Sequence, residues 1–123
     1  MLRKVATVLA VVTAAIHIVV GQIGAVRPML EVGLPVPIEG ALHVAWHIIS
    51  AFFLWSAFVF WRGGETALHF GFLWLISGAI FIYIGLTQYG LNGLIALPQW
   101  TILIVTGVVA MVAARSSFSF RSQ

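Results

Sequence analysis

The sequence predicts an all-α membrane protein: an antiparallel bundle of four transmembrane helices forming a single domain over residues 1–123. Three observations predict it. The chain is 62% hydrophobic and only 7% charged, a composition far from that of soluble domains. Four apolar runs each approach the roughly 20 residues a helix needs to cross a hydrocarbon core of about 30 Å. The charged side chains sit at the ends of those runs, where a bilayer tolerates them.

The first run covers about residues 5–24. Arg3-Lys4, the apolar stretch and Thr13-Ala14-Ala15 have the outline of a signal peptide. The apolar run continues past that small-residue site, so it is read as a retained span. Arg27-Pro28, Gly33, Pro35-Val36-Pro37 and Gly40 follow as a loop expected to interrupt the helix. The second run, about 41–61, is unusually aromatic. Arg62-Gly63-Gly64-Glu65 is a short polar turn leading to the third run, about 67–87. There Gly71, Gly78 and Gly85 recur at heptad spacing and make a smooth stripe for a neighbouring backbone. Asn92-Gly93 and Pro98 separate it from the fourth run, about 97–114, with Pro98 suited to a first helical turn.

Charge sets the expected orientation. Arg3, Lys4, Arg62, Arg115 and Arg121 fall on one side of a four-span arrangement and Arg27 on the other. The positive-inside rule then puts both termini in the cytoplasm and the protein in the inner (cytoplasmic) membrane as a multi-pass chain. The isoelectric point of about 10.2 reflects these topology determinants, so a nucleic-acid partner is not expected. Trp61 and Trp100, at opposite span ends, suit interfacial anchoring. Cysteine is absent, which excludes disulfides, thiolate metal sites and cysteine nucleophiles.

Histidine is the chemistry that stands out. His17, His43 and His47 lie inside apolar runs, where an ionisable side chain is costly and marks a functional site by default. His43 and His47 are four apart and share a helical face, and Glu39 extends the same stripe. At about 1.5 Å per residue, His17 and His47 lie roughly 10 Å and 9 Å below the outer hydrocarbon edge, and His43 about 3 Å below it. Three imidazoles at similar depth suit zinc, copper or iron, with Glu39 as a fourth ligand or an orienting group. A haem b alternative uses His17 and His47 as axial ligands. The structural alternative is polar glue, with the imidazoles bonded to each other, to Thr13, Ser50 or Tyr83, or to water. Tyr83 and Gln99, at the outer ends of spans three and four, are expected to support the site. Trp46 and Phe53 could wall a pocket for a flat lipophilic molecule such as a quinone or porphyrin. His69 lies toward the cytoplasmic end, one turn from Glu65, and is expected to pair locally.

Catalysis has little to draw on. The three acids are all glutamates, none deep within a span, and no Ser-His-Asp or Cys-His set is recognisable. Ser50, Ser56 and Ser77 are expected to serve helix contacts. Small multidrug transporters share the length and four spans but depend on a glutamate in the first span, which this chain lacks. Di-haem b-type cytochromes carry histidines at both membrane faces, and here only one face has enough. The reading is therefore a small membrane binding or accessory protein, with the bilayer, a larger membrane complex or homo-oligomer, or a lipophilic small molecule as partners. A haem or metal protein in electron transfer or metal handling is the alternative. A His-dependent enzyme acting on a lipophilic substrate is the third reading.

Overall fold

A computed structural model describes residues 1–119 of the chain; Arg121, one of the basic residues used for orientation, lies outside them. Among the described residues four helical stretches are long and apolar enough to cross a membrane: Leu2–Glu31, Val36–Arg62, Glu65–Tyr89 and Gln99–Ser116. The first combines α1 (Leu2–Ala15), two turns with wider hydrogen bonding (Ile16–Val20 and Gln22–Val26) and α2 (Arg27–Glu31). Then come α3 (Val36–Arg62), α4 (Glu65–Tyr89), the short α5 (Leu91–Ala96) and α6 (Gln99–Ser119). Packing runs in a ring: α1 touches α3 and α6, α4 packs extensively on α6, and α3 meets α4.

Two connections differ from the sequence expectation. Arg27-Pro28 does not end the first helix, which continues to Glu31 and confines the break to residues 32–35. The cause lies just upstream. Gly21 N–H bonds Ile16 O and Arg27 N–H bonds Gln22 O, each reaching back five residues instead of four. Local π-type adjustments of this kind let a membrane helix tolerate a proline. The segment containing Asn92-Gly93 is likewise helical, as α5, and Trp100 Nε1 donates to Leu94 O at 3.0 Å to fasten it to α6.

The α3–α4 link is two glycines, Gly63 (φ 73°) and Gly64 (φ 83°). These dihedrals are strained for any residue with a Cβ, so the tight reversal requires glycine at both positions. Arg3 lies across Gly63, its Cδ 3.1 Å from where a Cβ would stand. A crevice lined by Arg3, Ala6, Phe60, Ala67, Ala110 and Ala114 brings the start of α1, the end of α3, the start of α4 and the end of α6 to one pole of the bundle. Arg3, Lys4, Arg62 and Arg115 thus share a basic pole. Arg27, Glu31 and Glu39 belong to the opposite end.

Small residues bring these helices together. Ala6, Ala10 and Ala14 form one buried stripe on α1, and Ala110 and Ala114 another on α6. The glycine stripe of α4 meets α6 as its spacing predicts. A Cβ on Gly71 would come within 3.0 Å of Gly107 O, and one on Gly78 within 2.6 Å of Ile104 Cγ1. A Cβ on Gly93 would collide with the Gly85 carbonyl. Trp74, Phe60, Phe53 and Leu103 fill the centre. There the fully buried Trp74 Nε1 donates to Ser56 Oγ at 2.9 Å, and Ser56 donates on to Phe52 O at 2.7 Å. Of the three serines expected at helix contacts, Ser56 makes the interhelical bond. Ser50 and Ser77 bond carbonyls of their own helices.

Two substitutions test this packing. Gly93→Ala should destabilise the bundle by about 1–3 kcal/mol, the range for overpacking, whereas Gly24→Ala, which meets nothing within 4 Å, should not destabilise it. Ser56→Ala strands the buried Trp74 N–H and should cost about 1–3 kcal/mol. Unfolding by SDS titration in mixed micelles, followed by circular dichroism, measures both.

Candidate functional site

The large buried cluster lies toward the basic pole, away from the histidine end of the bundle. It draws on Ala6 to Ala14, Phe53 to Phe60, Ala67 to Trp74, and Leu103 to Ala114. Large apolar side chains are exposed on the isolated chain at both ends: Val5, Val8, Trp55 and Trp61 toward the basic pole, and Ile18, Val19, Val20, Ile23 and Ile48 near the histidines.

In that half, α1 and α3 are joined by an aromatic stack. His17 lies in the first π-type turn, and its ring packs on Trp46 with centroids 3.9 Å apart and planes 16° from parallel. Phe53 meets the same ring in an edge arrangement, at 5.3 Å and 82°. His17 Nε2 contacts Trp46 O at 3.3 Å. A carbonyl can only accept, so the neutral imidazole carries its proton on Nε2 and leaves Nδ1 as the acceptor. Gly21, one turn beyond His17, is what admits the indole: a Cβ there would collide with the Trp46 ring. The column continues from Phe53 to Trp74, at 5.1 Å, and from Trp74 to Phe60, at 5.9 Å. Trp46 and Phe53 were expected to wall a ligand pocket. His17 contacts both, so the two flank an imidazole of the chain itself.

His43 and His47 form a separate pair on α3, with ring centroids 4.9 Å apart and a 33° tilt. His43 and Glu39 are half-buried and His47 is exposed. The shared three-histidine centre expected from depth receives no support: among the described residues no three His, Cys, Asp or Glu side chains group so as to hold a metal ion. Equal depth on two helices does not fix azimuth, and His17 is turned into the α1–α3 seam. For the haem alternative, axial ligation through Nε2 of His17 would require breaking its bond to Trp46 O. Tyr83 is 68% exposed and Gln99 is exposed as well. The hydroxyls of Thr13 and Ser50 bond carbonyls of their own helices. His69 is exposed near Glu65, with no hydrogen bond or ion pair joining them among the described residues.

Sequence reading missed Gly21 and the Trp74–Ser56 bond. Gly21 did carry a signal, four residues after His17 on the same face. Ser56 and Trp74 are 18 residues apart on different helices, and no periodicity links them. No protein-family model matches the chain, and no curated protein or solved structure matches it.

The stack makes a graded prediction. His17→Phe keeps a flat ring against Trp46 and loses only the polar contact, which should cost about 0.6 kcal/mol. His17→Ala also loses the stacking, a further 0.5–1.5 kcal/mol or so. Gly21→Ala should weaken the seam by displacing Trp46. SDS titration of the three variants against wild type checks the order.

Proposed function

We infer that this chain is a small integral membrane binding or accessory protein, working through contacts made by the histidine end of its bundle. The observation that carries the reading is the contrast between the two ends. The large buried cluster lies toward the basic pole, while the half bearing His43, His47 and Tyr83 carries polar side chains at membrane depth outside that cluster. Lipid can cover exposed apolar side chains. Polar groups at membrane depth are better satisfied by another protein, a second copy of this chain or a small amphipathic molecule. The engagement of His17 with Trp46 supports a structural task for that residue.

The basic pole supports an orientation with both termini in the cytoplasm of an inner-membrane protein and residues 32–35 on the periplasmic side. Only Glu65 offsets Arg3, Lys4, Arg62 and Arg115 there. Fluorescent-protein and alkaline-phosphatase fusions at Arg62 and at the C-terminus should report the cytoplasm, and phosphatase fused after Gly33 should be active. An active phosphatase at the C-terminus would invert the arrangement.

The accessory reading is tested by in-membrane photo-crosslinking from Ile48 and from Val112, an exposed site toward the basic pole. A discrete protein adduct from Ile48, absent from Val112, is the expected result. An absorbance spectrum of the purified protein showing a Soret band would replace this reading with the haem alternative.

A further inference from the structure

We propose that His43 and His47 form a two-imidazole site for a late first-row divalent cation such as zinc, independent of His17. Zinc–nitrogen bonds are about 2.0–2.1 Å, which puts each ring centroid about 3.2 Å from the ion. For ligand angles from about 90° to tetrahedral, two such rings have centroids about 4.5–5.2 Å apart. The observed separation is 4.9 Å, so the pair stands at chelating distance with no helix movement. The i, i+4 spacing holds both side chains on one face of a continuous helix, and α3 is unbroken from Val36 to Arg62.

Access and chemistry agree. α3 has 27 residues and so spans about 40 Å against a hydrocarbon core of about 30 Å. Counted back from Arg62, the hydrocarbon ends near His43, with His47 one turn inside. An ion arriving from water therefore meets His43 at the interface, with His47 one turn deeper on the same face. The two rings leave half a tetrahedral shell open, for water or for a donor from a partner. Neutral nitrogen donors with no thiolate suit zinc, copper or nickel and not magnesium or calcium. His17 stands apart because its ring is stacked on Trp46 in the seam, and no three metal-ligating side chains group together among the described residues. This deepens the binding-protein reading, yet the two fail separately: a chain without zinc can still crosslink to a partner, and one without a partner can still hold zinc.

The test uses tag-free, full-length protein in detergent micelles, titrated with Zn²⁺ in competition with a chromophoric chelator. One zinc per chain, or one per two chains, is expected. His43→Asn and His47→Gln should each weaken binding by more than about tenfold, since losing even an indirect ligand support costs 10–100-fold. His17→Asn and His69→Asn should leave it unchanged. Circular dichroism of each variant confirms an intact bundle. With Cu²⁺ as a second probe, electron paramagnetic resonance should show coupling to two imidazole nitrogens in wild type and one in either α3 variant. Equal zinc affinity in wild type and His47→Gln, or loss of zinc in His17→Asn, would overturn the site.

Discussion

Helices in a bilayer gain little from burying apolar surface against one another, because lipid tails are as apolar as leucine. What remains is close van der Waals contact, and that depends on how near two backbones can come. In this protein the approach is set by Gly71, Gly78 and Gly85 against α6 and α5, and by Ala6, Ala10 and Ala14 along α1. The positions of α3 and of the aromatic centre follow from those seams. Trp74 is fully buried among Phe52, Phe53 and Phe60. Its N–H must then find an acceptor, which Ser56 supplies.

The other end is joined differently. Beyond Ala15 the residues that meet α3 are His17 and Gly21, while Ile18, Val19, Val20 and Ile23 lie exposed on the isolated chain. The contact there is made by His17 and Trp46 stacked over Gly21. The π-type turns belong to this arrangement. They change the azimuth of residues beyond Ala15 and let the helix pass Pro28 without a break. One backbone adjustment thus aims an imidazole and lengthens the span.

Charge and polarity are segregated along the bundle axis. The basic pole holds its cations around a closed alanine core, while the opposite end carries Glu31 and Glu39, the histidine pair and Tyr83 on an open surface. In the proposed function, binding at the histidine end need not compete with the buried contacts that hold the fold.

The sequence by itself determined the fold class, the number of spans, the basic pole and the glycine seam, because each depends on composition or on a one-dimensional period. Hydropathy needs only a run of residues, and Gly71, Gly78 and Gly85 declare a shared face by spacing alone. His43 and His47 were readable as neighbours for the same reason, being four apart on one helix. Only the tertiary structure decided which way His17 faces, since rotation about a helix axis depends on neighbours and here on π-type turns that no residue pattern announced. It also decided that Trp46 and Phe53 flank an imidazole, that Ser56 answers Trp74, and that Pro28 lies within a helix. Each of these joins residues from different helices, or shifts backbone register, and such relations arise only once the helices are packed.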